Sequence, residues 1–529
     1  MTQYAVPYRP GPLIDLPPHG NACSLLELRE YALSLNRPLA IELFCGAGGL
    51  SLGLEEAGFQ VILGVDHDKQ SIATHEAYFG GSSLCADLSQ PEVIEDIINA
   101  LKSIPIALVA SGPPCQPFSR AGINKIRSLK RNLSDDTQRE LWRVFVTVVK
   151  RVLPPAIIME NVQEMALGEN AIILRQIVFA LEGAGYDVYT RILPVWQFGV
   201  PQHRQRLILV GVRRGIPFQW PQPRINKWVT VRGAISDLPR VTGGAKNIEL
   251  PYRRPDNSYQ RWCRRGMAQN GKGKIYDQIA RAVRPDDLKA FRLMRHGTLY
   301  SDLPQHLRRY RADIFEDKYK RLPWNGLSRT ITAHISKDGY WYIHPSQHRT
   351  LTVREAARIQ TFPDRFRFAG MPSHAFRQIG EAVPPLFARA LGRAIISALD
   401  SANRSSSRPS TAKLSRTLIR WLEKNTRADL IAPWRRSRNL WHILLGTVLS
   451  VNYSSTKAYT SWQKCKNRWP DARDFLKDAK RIYILRTLGL GHKSQLLSAL
   501  AKNLIKGNGT MKSSKGMLGS QVFPLTRLV

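Results

Sequence analysis

Short apolar runs alternating with amphipathic helical stretches predict a doubly wound, Rossmann-like α/β sheet across residues 38 to 211. Three observations carry this expectation. The runs "PLAIELF", "VILGVD", "IALVASG" and "AIIME" are predominantly apolar, as expected of strands buried on both faces. The stretches between them, such as "DKQSIATHEAYF", "RELWRVFVTVVKRVL" and "AIILRQIVFALEGAGY", repeat apolar residues at helical spacing. The runs also end in glycine, proline or an acid, at the strand ends where open α/β sheets bind ligands.

Taken in order, residues 1–37 read as a Pro/Gly-rich arm followed by a helix, "SLLELREYALSL". The first strand leads into "AIELFCGAGGLSLGLEEAGF", where Gly46, Gly48 and Gly49 open space for a ligand against the backbone and a helix amino terminus. The second strand ends in Asp66, at the spacing where a carboxylate accepts hydrogen bonds from a ribose, and Asp87 closes the next short element. These loops together suggest a nucleoside-containing cofactor. The fourth run is followed by "SGPPCQPFSRAG", in which Pro113, Pro114 and Pro117 forbid regular structure and fix the direction of Cys115. A β-rich pair, "YDVYTRILPVWQFGVPQ" and "RLILVGV", closes residues 38–211. Residues 212–327 lack a clear period and abound in Arg, Gly and Pro, so they are expected to form a separate, small, irregular domain. Regular pattern returns over 328–400, a linker spans 401–414, helices are expected over 415–505, and a disordered tail over 506–529.

Composition narrows the function. The chain of 529 residues carries a net charge of +37. Residues 212–327 hold about 25 Lys/Arg against about 10 Asp/Glu, and residues 401–529 about 25 against about 5. Charge concentrated in two blocks points to a polyanion, and nucleic acid is the natural one. Six cysteines without a CxxC pair argue against a disulfide scaffold and against a zinc or iron–sulfur centre, so no metal is expected. No signal peptide and no membrane association are expected, which leads to an intracellular, cytoplasmic protein.

The blocks "ELFCGAGGLSLGLEEAGF", "SGPPCQPFSRAG", "MENV", "PQHRQRLILVG", "LTVREAARIQTFPD" and "QIGEAVPPLFARALGRAI" resemble, in order and spacing, the signature blocks of the cytosine-5 DNA methyltransferases, over roughly residues 38 to 398. The resemblance implies S-adenosylmethionine as cofactor, with Phe44, Gly46 and Gly48 against it, Asp66 on its ribose and Asp87 on its adenine amino group. It implies Cys115 as the nucleophile, Glu160 as the paired acid, and Arg204 and Arg206 as the catalytic arginines. It makes 212–327 the target recognition domain. Where the family usually has asparagine in the last block, this chain has Glu381, a departure beside the cofactor.

The chemistry explains these residue types. Cytosine C5 is too poor a nucleophile to attack a methyl sulfonium until a thiolate has added at C6. That addition builds negative charge toward N3 and O2, which a proton-sharing Glu160 and a cationic Arg206 would stabilise. The base must first be flipped out of its duplex. The expected partner is double-stranded DNA, bound by a monomer, in a prokaryotic, nucleoid-associated setting with a possible cognate restriction endonuclease acting separately. A transfer RNA methyltransferase and a solitary or non-catalytic DNA-binding homologue are the alternatives.

Residues from about 415 resemble, through "IAPWRRSRNLWHILL" and "LGLGHKSQLLSALAKNLI", the amino-terminal half of helix-hairpin-helix base-excision glycosylases. The hairpin and catalytic aspartate of that family do not follow. The expectation is a basic, helical DNA-binding remnant without excision activity.

Overall fold

The structure, a computed structural model, describes residues 11–114, 140–223, 228–267, 273–309 and 319–406, and beyond them 439, 441–442, 445–446, 455–487, 497–498 and 501. Two compact units divide the chain, Met1–Ser407 and Arg408–Val529.

In the first unit, α1 (Leu28–Leu33) precedes β1 (Leu39–Leu43), α2 (Gly49–Ala57), β2 (Gln60–Asp66), α3 (Lys69–Tyr78), β3 (Ser82–Cys85), α4 (Pro91–Ala100) and β4 (Ile106–Ser111). Then come α5 (Trp142–Val152), β5 (Ala156–Val162), α6 (Ala171–Gly183), β6 (Tyr186–Pro194) and β7 (Gln205–Arg213). The seven strands lie in the order β3-β2-β1-β4-β5-β7-β6, parallel from β3 to β5 and antiparallel at β7 and β6. The sheet is therefore mixed, with the β-rich pair as its antiparallel edge. Because β1 lies between β2 and β4, the strand order reverses there, and the carboxyl ends of β1 and β4 form the switch point where open α/β sheets bind ligands.

Successive strand residues feed opposite cores, as the pleat requires. Ile41, Val109, Ile157 and Leu207 pack against α1, α4, α5 and α6. Ala40, Leu108, Ile158 and Ile208 pack on the other face against Leu50 and Leu54 of α2 and against Phe387, Leu391 and Ile395. By length and composition the helical stretch Pro372–Ala402 could cross a membrane, yet 56% of its most apolar window is buried inside the protein. It is a core element here.

The region after β7 contributes α7 (Val231–Ile235), β8 (Lys246–Pro251), α8 (Ser258–Cys263), β9 (Lys274–Ile279) and α9 (Pro285–Leu293), with β8 and β9 in an antiparallel pair. The chain then returns through α10 (Val353–Ile359), α11 (Pro372–Glu381) and α12 (Pro385–Ser406). The expectation of a separate domain over 212–327 is corrected here. Val231, Ile235, Trp262 and Ile275 share one apolar core with Val353, Ala356, Phe362 and Phe376 of the returning segment.

Charge cements that joint. Every residue of α10 is buried, including Arg354, Glu355 and Arg358. Arg358 grips Asp364 through two bonds of 2.8 and 2.7 Å and reaches Asp237 and the Ala234 carbonyl, both in the segment after β7. Arg354 reaches Asp277 of β9 at 3.2 Å, and Arg367 adds a second cation to the same carboxylate. Glu355 takes a bidentate pair from Arg349 at 2.8 and 2.7 Å and caps its own helix by accepting from the Thr352 N–H. Without the 212–327 segment, Arg354 and Arg358 would be buried cations stripped of their acids from that segment. The methyltransferase core is not expected to survive its excision.

In the second unit, α13 (Ser455–Arg468), α14 (Ala472–Lys477) and α15 (Arg481–Thr487) surround a small core of its own, made by Trp441, Leu445, Trp462, Trp469, Phe475 and Leu485. The Trp441 and Trp469 indoles donate to the Trp469 carbonyl and to Asp478. Within the stretch 415–505 helices are described over 455–487, while "LGLGHKSQ" lies outside the described residues.

Two outcomes are expected. Asp237→Ala should lower the urea-measured unfolding free energy by about 3–5 kcal/mol, because it strands a buried guanidinium. Glu95→Ala removes a half-exposed partner of Arg151 and should cost no more than about 1 kcal/mol. Burial pushes the Glu355 carboxyl up, but Arg349 prevails and holds it down at about 2, below its ordinary 4.5. Its contribution is therefore complete above about pH 4.5 and is lost as pH falls toward 2. The stability gap between the wild type and Glu355→Gln should narrow over that window in a series of urea titrations.

Candidate active site

The turn after β1 is built on backbone that L side chains resist. Phe44, Gly46 and Gly48 adopt φ of 58°, 53° and 87°, so every second residue of the turn is left-handed. For Phe44 such a conformation costs on the order of 1–3 kcal/mol, so the surroundings must enforce it. The Cys45 N–H is bound by the Val65 carbonyl at 3.0 Å, and the Gly46 N–H by Asp66 Oδ2 at 2.9 Å. A Cβ on Gly46 would meet nothing within 4 Å, so the turn faces open space. A Cβ on Gly48 would lie 2.3 Å from the Phe79 ring. The two glycines serve different needs, room for a ligand and room for the protein. Immediately after them α2 begins, with its unpaired amides and positive dipole end.

Asp66 stands at the carboxyl end of β2, and its other oxygen accepts from the Asp68 N–H at 2.9 Å. The Ala86 N–H binds the Asp66 carbonyl at 3.0 Å, which brings Asp87 alongside. Asp87 is exposed, and the Ser89 N–H at 2.9 Å holds its carboxyl below the ordinary value. Phe44, Gly46, Gly48, Asp66 and Asp87 therefore belong to neighbouring loops at the carboxyl ends of β1, β2 and β3. A ligand held there would find an aromatic side chain, a helix amino terminus and two carboxylates.

Glu160 closes the neighbouring group. It lies near the carboxyl end of β5, opposite Ile208, and Arg206 enters the antiparallel β7 two residues earlier. The Arg206 Nε sits 2.8 Å from Glu160 Oε1, in an ion pair with both side chains largely buried. Asn161 donates from Nδ2 to the Pro113 carbonyl at 3.2 Å, so the start of the proline-rich loop is tied beside this pair. Cys115 itself lies outside the described residues.

Arg204 takes a different position from Arg206. It is buried, and its Nη1 and Nη2 donate to the carbonyls of Ile331 at 2.9 Å and Ala382 at 3.2 Å. Its guanidinium clamps β7 to the returning segment. Arg204 lies just before β7 and Arg206 within it, so two residues that both read as polar arginines near a strand's start meet different partners.

Glu381, the departure in the last block, ends α11 within 4.0 Å of Arg377, which is paired with Asp68 at the start of α3. Although 46% of its side chain is open, enclosure by protein and the charges of Asp66 and Asp68 push its carboxyl up to about 7. Two further residues escaped the reading of the sequence. Asn161 was visible only as a neighbour of Glu160, and Glu42 only as a polar residue in an apolar run. An acid inside a strand buried on both faces was the available signal.

A family profile described as C-5 cytosine-specific DNA methylase matches residues 39–397. The type II methyltransferase M.XorII of Xanthomonas oryzae is 36% identical over 391 residues, covering 69% of this chain and 86% of that protein. M1.HphI of Haemophilus parahaemolyticus is 29% identical over 374 residues, covering 71% and 91%, and M.AgeI of Thalassovita gelatinovora 29% over 431 residues, covering 67% and 98%. A crystal structure described as a DNA modification methyltransferase encoded within an E. coli prophage shares the fold, with a TM-score of 0.55, 24% identity, and coverage of 69% of this chain and 99% of that one. The mixed seven-stranded sheet, the glycine turn and the Glu160–Arg206 pair thus lie inside a region whose family is established: this chain belongs to the C-5 cytosine-specific DNA methylases.

Proposed function

We propose that the chain methylates C5 of a flipped cytosine in a specific duplex DNA sequence, with S-adenosylmethionine as donor, Cys115 as nucleophile, and Glu160 and Arg206 as the groups that receive the developing charge. The observation that carries this reading is the Glu160–Arg206 pair, held beside the loop that leads to Cys115 by the Asn161–Pro113 bond. Each residue has one task. The Cys115 thiolate forms a bond to C6, and the displaced electron pair moves toward N3 and O2. Glu160 shares a proton with N3 and accepts from the exocyclic amino group, while Arg206 faces O2. S-adenosylmethionine, when bound, supplies an electrophilic methyl group. Removal of the C5 proton by water then lets the C6–sulfur bond break and returns the thiolate.

The turn fits this donor. Its open side at Gly46 and the amino terminus of α2 suit an amino-acid carboxylate, Asp66 suits ribose hydroxyls, and Asp87 an adenine amino group. Arg204 acts as a positioning residue through its clamp on residues 331 and 382. Recognition of the target falls to the basic segment 212–327, whose arginines would meet phosphates and base edges. The biological setting we infer is protection of host DNA in a restriction–modification system, in line with the type II methyltransferases among its relatives.

A duplex carrying 5-fluorocytosine cannot lose its C5 substituent as a proton, so the purified protein with S-adenosylmethionine should form a covalent adduct that mass spectrometry maps to Cys115. Cys115→Ser should form none, and label transferred to transfer RNA alone would overturn the choice of substrate. Glu160→Gln should lower kcat by about 10²-fold or more at unchanged thermal stability. Removing residues beyond 407 should leave methyl transfer intact and make duplex binding weaker and less steeply dependent on salt, the logarithmic slope falling by about one unit for each phosphate that is no longer neutralised. An unchanged slope would deny the second unit a role in DNA binding, and thymine excision from a thymine–guanine duplex by the full chain would contradict the remnant reading.

A further inference from the structure

Beneath the glycine turn runs a chain of buried polar side chains that the reaction does not use. Glu42 in β1 is hydrogen-bonded to the Ser51 hydroxyl in the first turn of α2. Ser51 Oγ lies 3.2 Å from His75 Nε2 in α3, and His75 Nδ1 lies 2.7 Å from Ser83 Oγ in β3. Glu42, Ser51 and His75 are all at most 2% exposed, so none can meet a substrate. The His75 ring is wedged between two elements that define the site. A Cβ on Gly64 in β2 would lie 2.3 Å from its Cε1, and a Cβ on Gly48 in the turn 3.0 Å from its Cδ2. Four elements around the switch point thus share one hydrogen-bonded line.

We propose that Glu42, Ser51, His75 and Ser83 are positioning residues for the methyl donor: the chain holds the 44–49 turn from below, and it does so in a wholly neutral form with one polarity. Glu42 donates its proton to Ser51, Ser51 donates to His75 Nε2, and the protonated Nδ1 donates to Ser83. The proposal rests on the reading of that turn as the donor's seat.

The neutral form follows from the surroundings. Burial pushes the Glu42 carboxyl up to about 8, and Asp66 in β2 and Glu160 in β5 add to that because a charged Glu42 would repel both. Burial pushes His75 down to about 3. The Cys45 thiol beside them is likewise driven up, so no cation faces Glu42 from the elements packed on it among the described residues. A carboxylate at 42 would reverse every bond in the chain and place a third negative charge behind Asp66 and Glu160. Gln is an isosteric neutral donor and should substitute. Ala and, at position 75, Phe should not.

The test is donor binding, measured by calorimetry with S-adenosylmethionine and with S-adenosylhomocysteine, beside thermal melts. Glu42→Gln should bind within about threefold of wild type, while Glu42→Ala and His75→Phe should bind about tenfold or more weakly, with kcat at saturating donor retained within about threefold. Ser83→Ala, at the partly exposed end, gives a milder weakening without a core cavity. Histidine-selective ¹⁵N NMR, with the signal of His75 identified by its loss in His75→Phe, should show the Nδ1–H tautomer at pH 7. Equal damage from Glu42→Gln and Glu42→Ala, an Nε2–H tautomer, or lower melting temperature with unchanged donor affinity in both Ser83→Ala and His75→Phe would each overturn the proposal. A wild-type protein that binds neither ligand would refute the donor seat itself and the chain with it, an outcome distinct from any difference among variants.

Discussion

A guanidinium with no access to water, that of Arg358, holds carboxylates from positions 237 and 364. Taking three charged groups out of solvent is expensive, and the cost is offset only when every donor finds an acceptor in good geometry. Arg358 meets that condition by adding the Ala234 carbonyl to its two acids. Helix α10 therefore cannot settle until the segment after β7 has been brought back onto it. The same helix carries Arg354 to Asp277 and Glu355 to Arg349, so four buried pairs radiate from about two helical turns. Apolar packing alone would join these pieces loosely. The ion pairs specify one register.

From that joint the order of the site follows. The segment after α10 places Phe362 3.3 Å from where a Cβ on Gly49 would stand, at the start of α2, and stacks Phe366 on Tyr78 of α3. On the far side of the switch point, the antiparallel course of β7 matters. A parallel neighbour would begin at the opposite end of the sheet from Glu160, whereas β7 begins where β5 ends and so delivers Arg206 to the acid. The glycine turn and the charge pair are thus arranged by two different devices, a strained turn on one side of the topological reversal and a strand reversal on the other.

Much of this was legible in the sequence for physical reasons. Strands buried on both faces are predominantly apolar, so β1, β2, β4 and β5 stood out, and the glycines after β1 and the acids at 66 and 160 lay at their ends, with Asp87 after the short β3. What escaped depended on partners distant in the chain. "LTVREAARIQTF" shows regular pattern, but nothing local shows that Arg358 will meet Asp237. The apparent irregularity of 212–327 had the same origin: its short elements have little period of their own and take their core from residues a hundred positions away. Arg204 and Arg206 could not be told apart without the carbonyls of 331 and 382.

The two acids that the segment after β7 lends to α10 also bear on how far that segment can be exchanged. Here a transplanted module would have to bring a carboxylate to the place of Asp237 and another to that of Asp277, the latter on a residue with a left-handed φ of 63°. Exposed side chains of that segment are free to vary, while these inward-facing positions are tied to the buried guanidinium groups they meet. Chimeras chosen by matching those positions, rather than by overall similarity, are the ones that should fold.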